Sequence, residues 1–273
     1  MKYFLLFILQ IPLLFGCNQT QVIPQKQGFN FDICNATYKG KPIPLNKPLE
    51  EWVKLFGRYD RIIDGYYFIW DSLGITLAKF NNYDPKEPKD NDKAPDQLLI
   101  CFVNTTSPFS KENKYDNGVN KLELDAHFGD NDSVYIKNSD NNYEIYKPNL
   151  NDPNYFFDPF LYPYPIKAYI DTIIVDGGVI SGGMTLKEIN KYRTQIKDNG
   201  KFVLWRKGID WHNETGSTTI KTGEFIDTKK EKKESRCGIE QGFFYYTFLR
   251  YTEGVLEYIK IEKVVKKKSV YWQ

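Results

Sequence analysis

The sequence predicts an α+β fold in which antiparallel sheets each pack against one helix. Runs of aromatic and β-branched residues, which are typical of strands, recur along the chain. Two segments have the apolar spacing of a helix, and each is bounded by residues that favour helix ends. The order strand, turn, strand, helix and hairpin occurs twice, which predicts two duplicated halves; chance similarity between α+β segments is the alternative.

Composition argues against a disordered chain and against a nucleic-acid-binding protein. The 273 residues include 20 Tyr and 19 Phe, enough aromatic bulk for a real core, which argues against a disordered chain. Lys and Arg total 37 against 35 Asp and Glu. Nucleic-acid-binding proteins usually show a strong basic excess, so we expect no nucleic-acid partner.

Residues 30–148 are predicted to form the first α+β half. After a strand and a turn, Asn46 is placed to cap a helix that Gly57 ends. The apolar face of this helix has members at i, i+3, i+4 and i+7: Leu49, Trp52, Val53 and Phe56. A hairpin over residues 66–80 follows, with further strand-like runs at residues 98–103 and 121–125.

Residues 168–273 are predicted to form the second half. A strand at residues 169–175 precedes a helix that begins with a capping box, Thr185 and Glu188. The apolar face of this helix is formed by Leu186, Ile189, Tyr192 or the stem of Arg193, and Ile196. Strands are expected at residues 201–206, 243–251 and 255–265.

An aromatic and proline-rich connector, residues 149–167, joins the halves. It contains a cluster of six aromatic residues: Tyr155, Phe156, Phe157, Phe160, Tyr162 and Tyr164. Prolines between them exclude a regular central strand or helix, so the backbone should lie where water reaches its carbonyls. The sequence therefore predicts an exposed aromatic surface that binds a partner. The alternative is that the rings are buried and staple the halves together.

The N-terminus has the parts of a secretory signal. Residues 1–16 contain a short basic start, an apolar core and a small residue before Cys17, and they are too few to span a bilayer. Residues 14–17, Leu-Phe-Gly-Cys, resemble the lipobox of bacterial lipoproteins. That resemblance implies a signal peptide over residues 1–16 and a Cys17 that receives palmitate-type acyl chains. Residues 17–29 would be the lipidated end and its polar tether.

The same resemblance implies a location. No acidic residue closely follows Cys17, and in lipoproteins this implies the outer membrane, with the protein facing the periplasm. The lipobox, the hairpin at residues 40–43 (Gly-Lys-Pro-Ile) and the helix at residues 48–57 (Pro-Leu-Glu-Glu-Trp to Phe-Gly) also resemble a bacterial lipoprotein family of unknown function, over residues 30–80 and again 168–262. These two ranges are distantly similar to the small α+β fold of outer-membrane assembly lipoproteins and β-lactamase-inhibitor proteins. These resemblances bring no catalytic residues to this chain.

Cysteine usage allows at most one disulfide in the body of the protein. If Cys17 is lipidated, Cys34, Cys101 and Cys237 remain, and the periplasm permits a bond between two of them. The sequence leaves the choice of pair open, and buried free thiols are equally compatible with it.

Candidate chemistry is sparse. His127 and His212 each follow an Asp by two residues, Asp125 and Asp210, so an Asp/His pair could share one face of a strand. Partly packed histidines near turns are the simpler interpretation. Residues 130–132 begin like a calcium loop but lack its later ligands. We therefore expect no metal, no cofactor and no catalytic residue.

Two main classes of function remain compatible with the sequence. The first is a membrane-anchored, non-enzymatic module that binds a protein, in an envelope scaffold or in toxin immunity. The alternative is a lipoprotein that binds a glycan or another small ligand on the aromatic residues of the connector. A hydrolase comes third, since it depends only on the two Asp/His pairs.

Overall fold

A computed structural model describes residues 28–63, 65–79, 94–110, 134–147, 149, 151–152, 158–195, 200–204, 223–227, 237 and 240–265. Within these ranges the chain forms two sheets and two α-helices. The predicted α+β class with antiparallel sheets is confirmed, with one parallel strand pair as an exception. Outside the described residues lie the signal peptide, Cys17, both predicted Asp/His pairs and residues 130–132.

The small sheet has five strands in the order β11-β10-β1-β2-β3. These strands are β1 (Phe29–Phe31), β2 (Ala36–Tyr38), β3 (Lys41–Pro42), β10 (Ile173–Val175) and β11 (Gly178–Ile180). β1 and β10 run parallel, so the start of the first predicted half lies beside the start of the second.

The large sheet has ten antiparallel strands in the order β12-β13-β14-β15-β7-β6-β5-β4-β8-β9. Its first-half strands are β4 (Arg61–Ile63), β5 (Tyr67–Trp70), β6 (Ile75–Ala78), β7 (Gln97–Cys101), β8 (Val134–Lys137) and β9 (Tyr143–Tyr146). Its second-half strands are β12 (Phe202–Leu204), β13 (Gly223–Asp227), β14 (Phe243–Thr252) and β15 (Val255–Val265). Each sheet thus takes strands from both predicted halves.

The helices follow the predicted spacing but differ at one cap. α1 (Leu49–Phe56) starts after Pro48, and its end at Gly57 is as predicted, with the Gly57 N–H donating to Val53 O. Asn46 does not cap α1: its own N–H donates to Pro95 O. This cap prediction is wrong because two residues, Lys47 and Pro48, separate Asn46 from the first helical residue.

The second helix, α2 (Leu186–Gln195), has the predicted capping box. The Glu188 N–H donates to Thr185 Oγ1, and the Thr185 N–H donates to the Glu188 carboxylate. Tyr192 is exposed, whereas Arg193 is buried, so the stem of Arg193 completes the inner face. The Arg193 guanidinium pairs with Asp176 and Asp227, which links α2 to both sheets.

One apolar core joins the two sheets and both helices. Trp52 of α1 and Ile189 of α2 pack there with buried residues of both sheets. A disulfide between Cys34 and Cys237 bonds the turn after β1 to the chain just before β14, across 203 residues of sequence. Cys101 is a buried free thiol, and burial raises its pKa. Among the described helices, none is long and apolar enough to cross a membrane.

Candidate functional site

The described end of the connector forms a strap across the large sheet. This strap, residues 158–165, has carbonyls that face the sheet and accept hydrogen bonds from its side chains. Arg61 of β4 donates to the carbonyls of Phe160, Tyr162 and Tyr164 at 2.9, 3.1 and 2.7 Å. Thr76 of β6 donates to Pro163 O at 2.6 Å. The carbonyls are therefore satisfied by the protein rather than by water.

The rings of the strap correct the sequence prediction. Tyr162 is 4% exposed and Tyr164 is 1% exposed, so neither contributes to an exposed aromatic surface. The Tyr164 hydroxyl donates to the buried carboxylate of Glu257. Phe160 is half-buried against Tyr146. Tyr164 packs in one cluster with Cys101 and Tyr258, which belong to the two predicted halves, whereas Tyr162 packs with residues of the first half. Tyr155, Phe156 and Phe157 lie outside the described residues.

A cleft opens where the strap ends. Its volume is about 540 Å³, within the range of ligand-binding sites, and it is open on one side. Most of its lining is apolar or aromatic, with a few polar side chains at the rim. The lining residues are Phe29, Tyr38, Phe56, Ser72, Leu73, Ile75, Asn104, Ile166, Lys167, Ala168, Tyr169, Ile170 and Asp171.

The rings of Phe29, Tyr38 and Phe56, from three separate parts of the chain, form the inner wall of the cleft, and Tyr169 packs against it. The Phe29 ring lies 4.6 Å from Tyr38, 6.1 Å from Phe56 and 5.5 Å from Tyr169, between ring centroids. Tyr38 and Phe56 are 5.0 Å apart. These separations are those of favourable tilted aromatic pairs, so the rings form one packed unit.

The opposite wall is residues 166–171, which we call the wall segment. Asp71 holds its start: the Ile166 N–H donates to Asp71 Oδ1 at 2.8 Å and the Lys167 N–H to Asp71 O at 3.2 Å. The Tyr169 N–H donates to Cys101 O at 2.7 Å. Gly74 permits the close approach, since a Cβ there would lie 2.3 Å from Tyr169 N.

Asp71 also connects the wall segment to the strap. Its carboxylate accepts two hydrogen bonds from Arg61, both at 2.8 Å, and Arg61 is fully buried. The same guanidinium thus holds the strap carbonyls and the residue that positions the wall segment. We call Arg61 and Asp71 the clamp.

The cleft also contains a buried hydroxyl group, that of Tyr169, and an exposed apolar side chain, that of Ile170. The buried Tyr169 hydroxyl lies near the Phe29 N–H, but no described group completes a hydrogen bond with it. Burial raises the pKa of Tyr169, and the Asp171 carboxylate adds to that rise. At the mouth, Ile170 is 90% exposed. The cleft therefore offers an apolar interior, a buried hydroxyl and an apolar rim.

The described residues contain no group of three His, Cys, Asp or Glu side chains that could hold a metal. The one carboxylate in the cleft lining, Asp171, is accompanied by neither a histidine nor a cysteine. The described lining is therefore suited to an apolar group.

Sequence reasoning missed both the cleft and the clamp. Phe29, Tyr38 and Phe56 have the pattern of ordinary core residues, and nothing local shows that their rings meet. Arg61 did carry a signal, because it begins the apolar strand Arg61–Ile63. A charged residue in a buried strand needs a partner, and the connector with its exposed carbonyls was available.

Comparison with known proteins gives one match. A family model described as a domain of unknown function (DUF7738) matches residues 28–190, more than half of the chain. Every residue that lines the cleft falls within this match. Neither the curated proteins nor the solved structures contain a match to this chain.

Proposed function

We propose, for a chain that belongs to the family of the domain of unknown function DUF7738, that it is an exported, lipid-anchored and non-enzymatic binding module. Its partner is a protein, of which one apolar segment occupies the aromatic cleft. The proposal depends on one observation: an aromatic cleft of about 540 Å³ has a 90% exposed isoleucine, Ile170, at its mouth.

The exposed rim favours a protein partner. A small ligand would fill the cleft and leave the Ile170 side chain in water. Burial of the apolar area of Ile170 would then contribute nothing to binding. A protein segment that enters the cleft also covers its rim, so both apolar surfaces leave water together. Exposed apolar residues next to a concave apolar site are characteristic of protein interaction surfaces.

Export and anchoring are supported by two independent features. The lipobox at residues 14–17 favours acylation of Cys17 and attachment to the outer membrane, with the protein facing the periplasm. The Cys34–Cys237 disulfide fits this location, because such bonds persist in oxidising compartments such as the bacterial periplasm.

Duplication of an ancestral unit is part of the proposal. The order of two strands, one helix and four strands occurs twice: β1, β2, α1, β4–β7, and β10, β11, α2, β12–β15, with β3, β8 and β9 as additions. β7 and β15, the last strands of the two series, are neighbours in the large sheet. This order makes the β5–β6 pair equivalent to β13–β14.

A glycan ligand is the second candidate function. It is favoured by two tyrosine rings with hydroxyl groups, Tyr38 and Tyr169, and by polar side chains at the rim, Ser72 and Asn104. Sugars stack on such rings, but their many hydroxyls need more polar partners than this mostly apolar lining supplies. The protein partner is therefore the better fit.

Site-specific photo-crosslinking tests the binding function. A benzoylphenylalanine at position 170 of the full-length protein, expressed in its native cell, should give a covalent adduct with a second protein. The adduct should disappear when Tyr38→Ala opens the inner wall. The same photoreactive group at Tyr192, which is exposed on α2, is the matched control. Adducts from both positions alike, or none from position 170, would refute the proposal.

The identity of the crosslinked protein separates the two biological roles. A secreted toxin would assign an immunity role, and an envelope component would assign a scaffold role. The anchor is tested separately with a palmitate analogue: the wild-type chain should take up the label and Cys17→Ala should not. A wild-type chain without label would contradict the anchoring proposal and leave the cleft proposal standing.

A further inference from the structure

We infer that the partner presents an amphipathic α-helix, whose apolar face fills the cleft and packs around Ile170. An acidic residue at the border of that face pairs with Lys167, and a basic residue pairs with Asp171. This inference deepens the proposed function and rests on it, since it specifies the conformation in which a protein segment occupies the cleft.

The wall segment offers a partner no regular row of backbone groups. Its chain bends at residues 166, 167 and 171. The N–H groups of the neighbours Ile166 and Lys167 both donate to Asp71, the first to its Oδ1 and the second to its main-chain O. A strand adds only to a backbone whose N–H and C=O groups alternate between two sides. The wall segment therefore provides no ladder for an extended partner.

The apolar interior of the cleft then determines the backbone conformation of the segment that enters it. An extended segment without a ladder would lose the water around its N–H and C=O groups and gain no protein partner for them. A buried backbone group without a partner is about as unfavourable as a lost hydrogen bond. An α-helix bonds these groups within itself and presents only its side chains to the cleft. A helix is therefore the segment that this lining accepts.

The size of the cleft matches one face of a short helix. Its volume is about 540 Å³. A cavity of about 150 Å³ holds one benzene-sized group, so the cleft has room for about three apolar side chains. Side chains at i, i+4 and i+7 lie on one face of a helix, and eight residues extend over only about 10 Å. One helical face thus supplies three side chains within the length of a single site.

The Ile170 side chain has the position of a knob in helix packing. It is 90% exposed at the mouth of the cleft, whereas its neighbour Tyr169 is buried. Where helices pack, an apolar knob enters the hole between four side chains of the facing helix. A helix in the cleft takes Ile170 into such a hole and also covers Ile166, which lines the cleft and is 36% exposed.

The charges at the mouth complement a helix with both signs at its border. Lys167 and Asp171 line the cleft and are exposed. Neither forms an ion pair with another described residue. A bound helix brings an acidic residue to Lys167 and a basic residue to Asp171, because like charges there would repel. Exposed ion pairs contribute little affinity, so these pairs select among helices while the apolar face supplies the binding.

The experiment selects from two phage-displayed libraries of equal length against the full-length chain. The first displays an alanine-rich helix with randomised positions at i, i+4 and i+7. The second displays a threonine-rich extended segment with randomised positions at i, i+2 and i+4. Binders should come from the helical library and carry aliphatic or aromatic residues at the three positions. Circular dichroism should show that a selected peptide gains helix on binding.

A synthetic peptide from this selection tests the conformation directly. Proline at a central position of the outer face keeps every side chain that meets the cleft but breaks the helix, so it should lower the affinity at least about tenfold. Alanine at the same position is the matched control and should leave the affinity unchanged.

Variants of the protein test the contacts of the helix. Ile170→Ala should weaken binding of the peptide by roughly tenfold, because the buried area of the knob is lost. Tyr192→Ala, at an exposed position of α2, is the matched control. Lys167→Glu should also weaken binding, and a lysine in place of the facing acidic residue of the peptide should restore it. Ile170 and Lys167 are exposed, so both variants should melt with the parent chain.

Several outcomes would overturn the inference and leave the proposed function standing. They are an affinity that survives the proline, binders from the extended library alone, and no binder from either library while the crosslink at position 170 is present. A Lys167→Glu chain that binds the original peptide with unchanged affinity would overturn the charge pairing. Absence of the crosslink at position 170 would instead refute the proposed function, and this inference with it.

Discussion

Replacing Arg61 by methionine should be among the most destabilising single changes in this protein. Arg61 is fully buried and donates two hydrogen bonds to Asp71 and three to strap carbonyls. Arg61→Met keeps most of the buried volume but leaves a carboxylate and three carbonyls without their donor. Breaking a buried ion pair from one side costs about 3–5 kcal/mol, and the orphaned carbonyls add to this.

A double variant with Asp71→Asn separates the two contributions. Removing the charge of Asp71 should recover part of the loss, because no partly buried carboxylate is then left without its counter-charge. Recovery should stay incomplete, since the carbonyls of Phe160, Tyr162 and Tyr164 remain unsatisfied in both variants. We expect the double variant to remain at least about 2 kcal/mol less stable than the parent.

Urea and thermal unfolding measure these differences in the free energy of unfolding. Both use the mature chain with Cys17→Ser, which removes the acyl acceptor. At about 2–4 °C per kcal/mol for a chain of this size, Arg61→Met should lower the melting temperature by roughly 6–20 °C. Lys54→Met is the control. The Lys54–Glu51 pair is exposed, so its loss should leave the urea midpoint unchanged. A loss below about 1 kcal/mol in Arg61→Met would refute the clamp.

Three further predictions follow from the contacts. Gly40→Ala places a Cβ at positive φ in open space and should cost about 1–2 kcal/mol in unfolding free energy, whereas Gly74→Ala should cost clearly more, because its Cβ would also clash with the backbone of the wall segment. Cys34→Ser with Cys237→Ser should cost about 2–5 kcal/mol, and reductant should then have no further effect on the urea midpoint. Burial raises the pKa of Glu262, so its stabilising effect is present at low pH and lost as pH rises through that pKa. Glu262→Gln should therefore have a higher urea midpoint than the parent near pH 7 and an equal one near pH 4.

Local signals predicted the local structure well. The apolar spacing of α1 and the capping box of α2 depend on residues within one or two turns, and both helices form where these signals stand. The cap assigned to Asn46 failed for a local reason as well. Asn46 adopts positive φ and donates its N–H to Pro95 O, a residue far along the chain, so a tertiary contact overrides the cap preference.

The prediction of exposed rings is wrong for Tyr162 and Tyr164 because Arg61 supplies hydrogen-bond donors to the strap. Prolines remove backbone donors, but the carbonyls of such a segment need water only if the protein offers no other donor. A guanidinium has several N–H groups in one plane, and Arg61 directs hydrogen bonds to three carbonyls of the strap. A buried arginine therefore allows a proline-rich segment to pack with its rings inwards, which composition alone does not reveal.

The cleft could not be derived from the sequence, since its walls meet through long-range pairing. The register of β1 with β10 sets Phe29 beside Ile173, in the chain that follows the wall segment. The β5–β6 turn then sets Gly74 against Tyr169. Each contact is ordinary by itself, and only the relative placement of both sheets produces the opening.

The match to the family ends at residue 190, within α2, yet the fold is complete only with the strands that follow. β15 covers the edge of β7, where Leu98 and Ile100 are fully buried, and Cys237 supplies the second half of the disulfide. Without β12–β15, β7 would expose an apolar edge of the kind that natural sheets avoid. The matched region contains every residue that lines the cleft, and the later strands cover the open edge of the sheet that carries Ile75 of that lining.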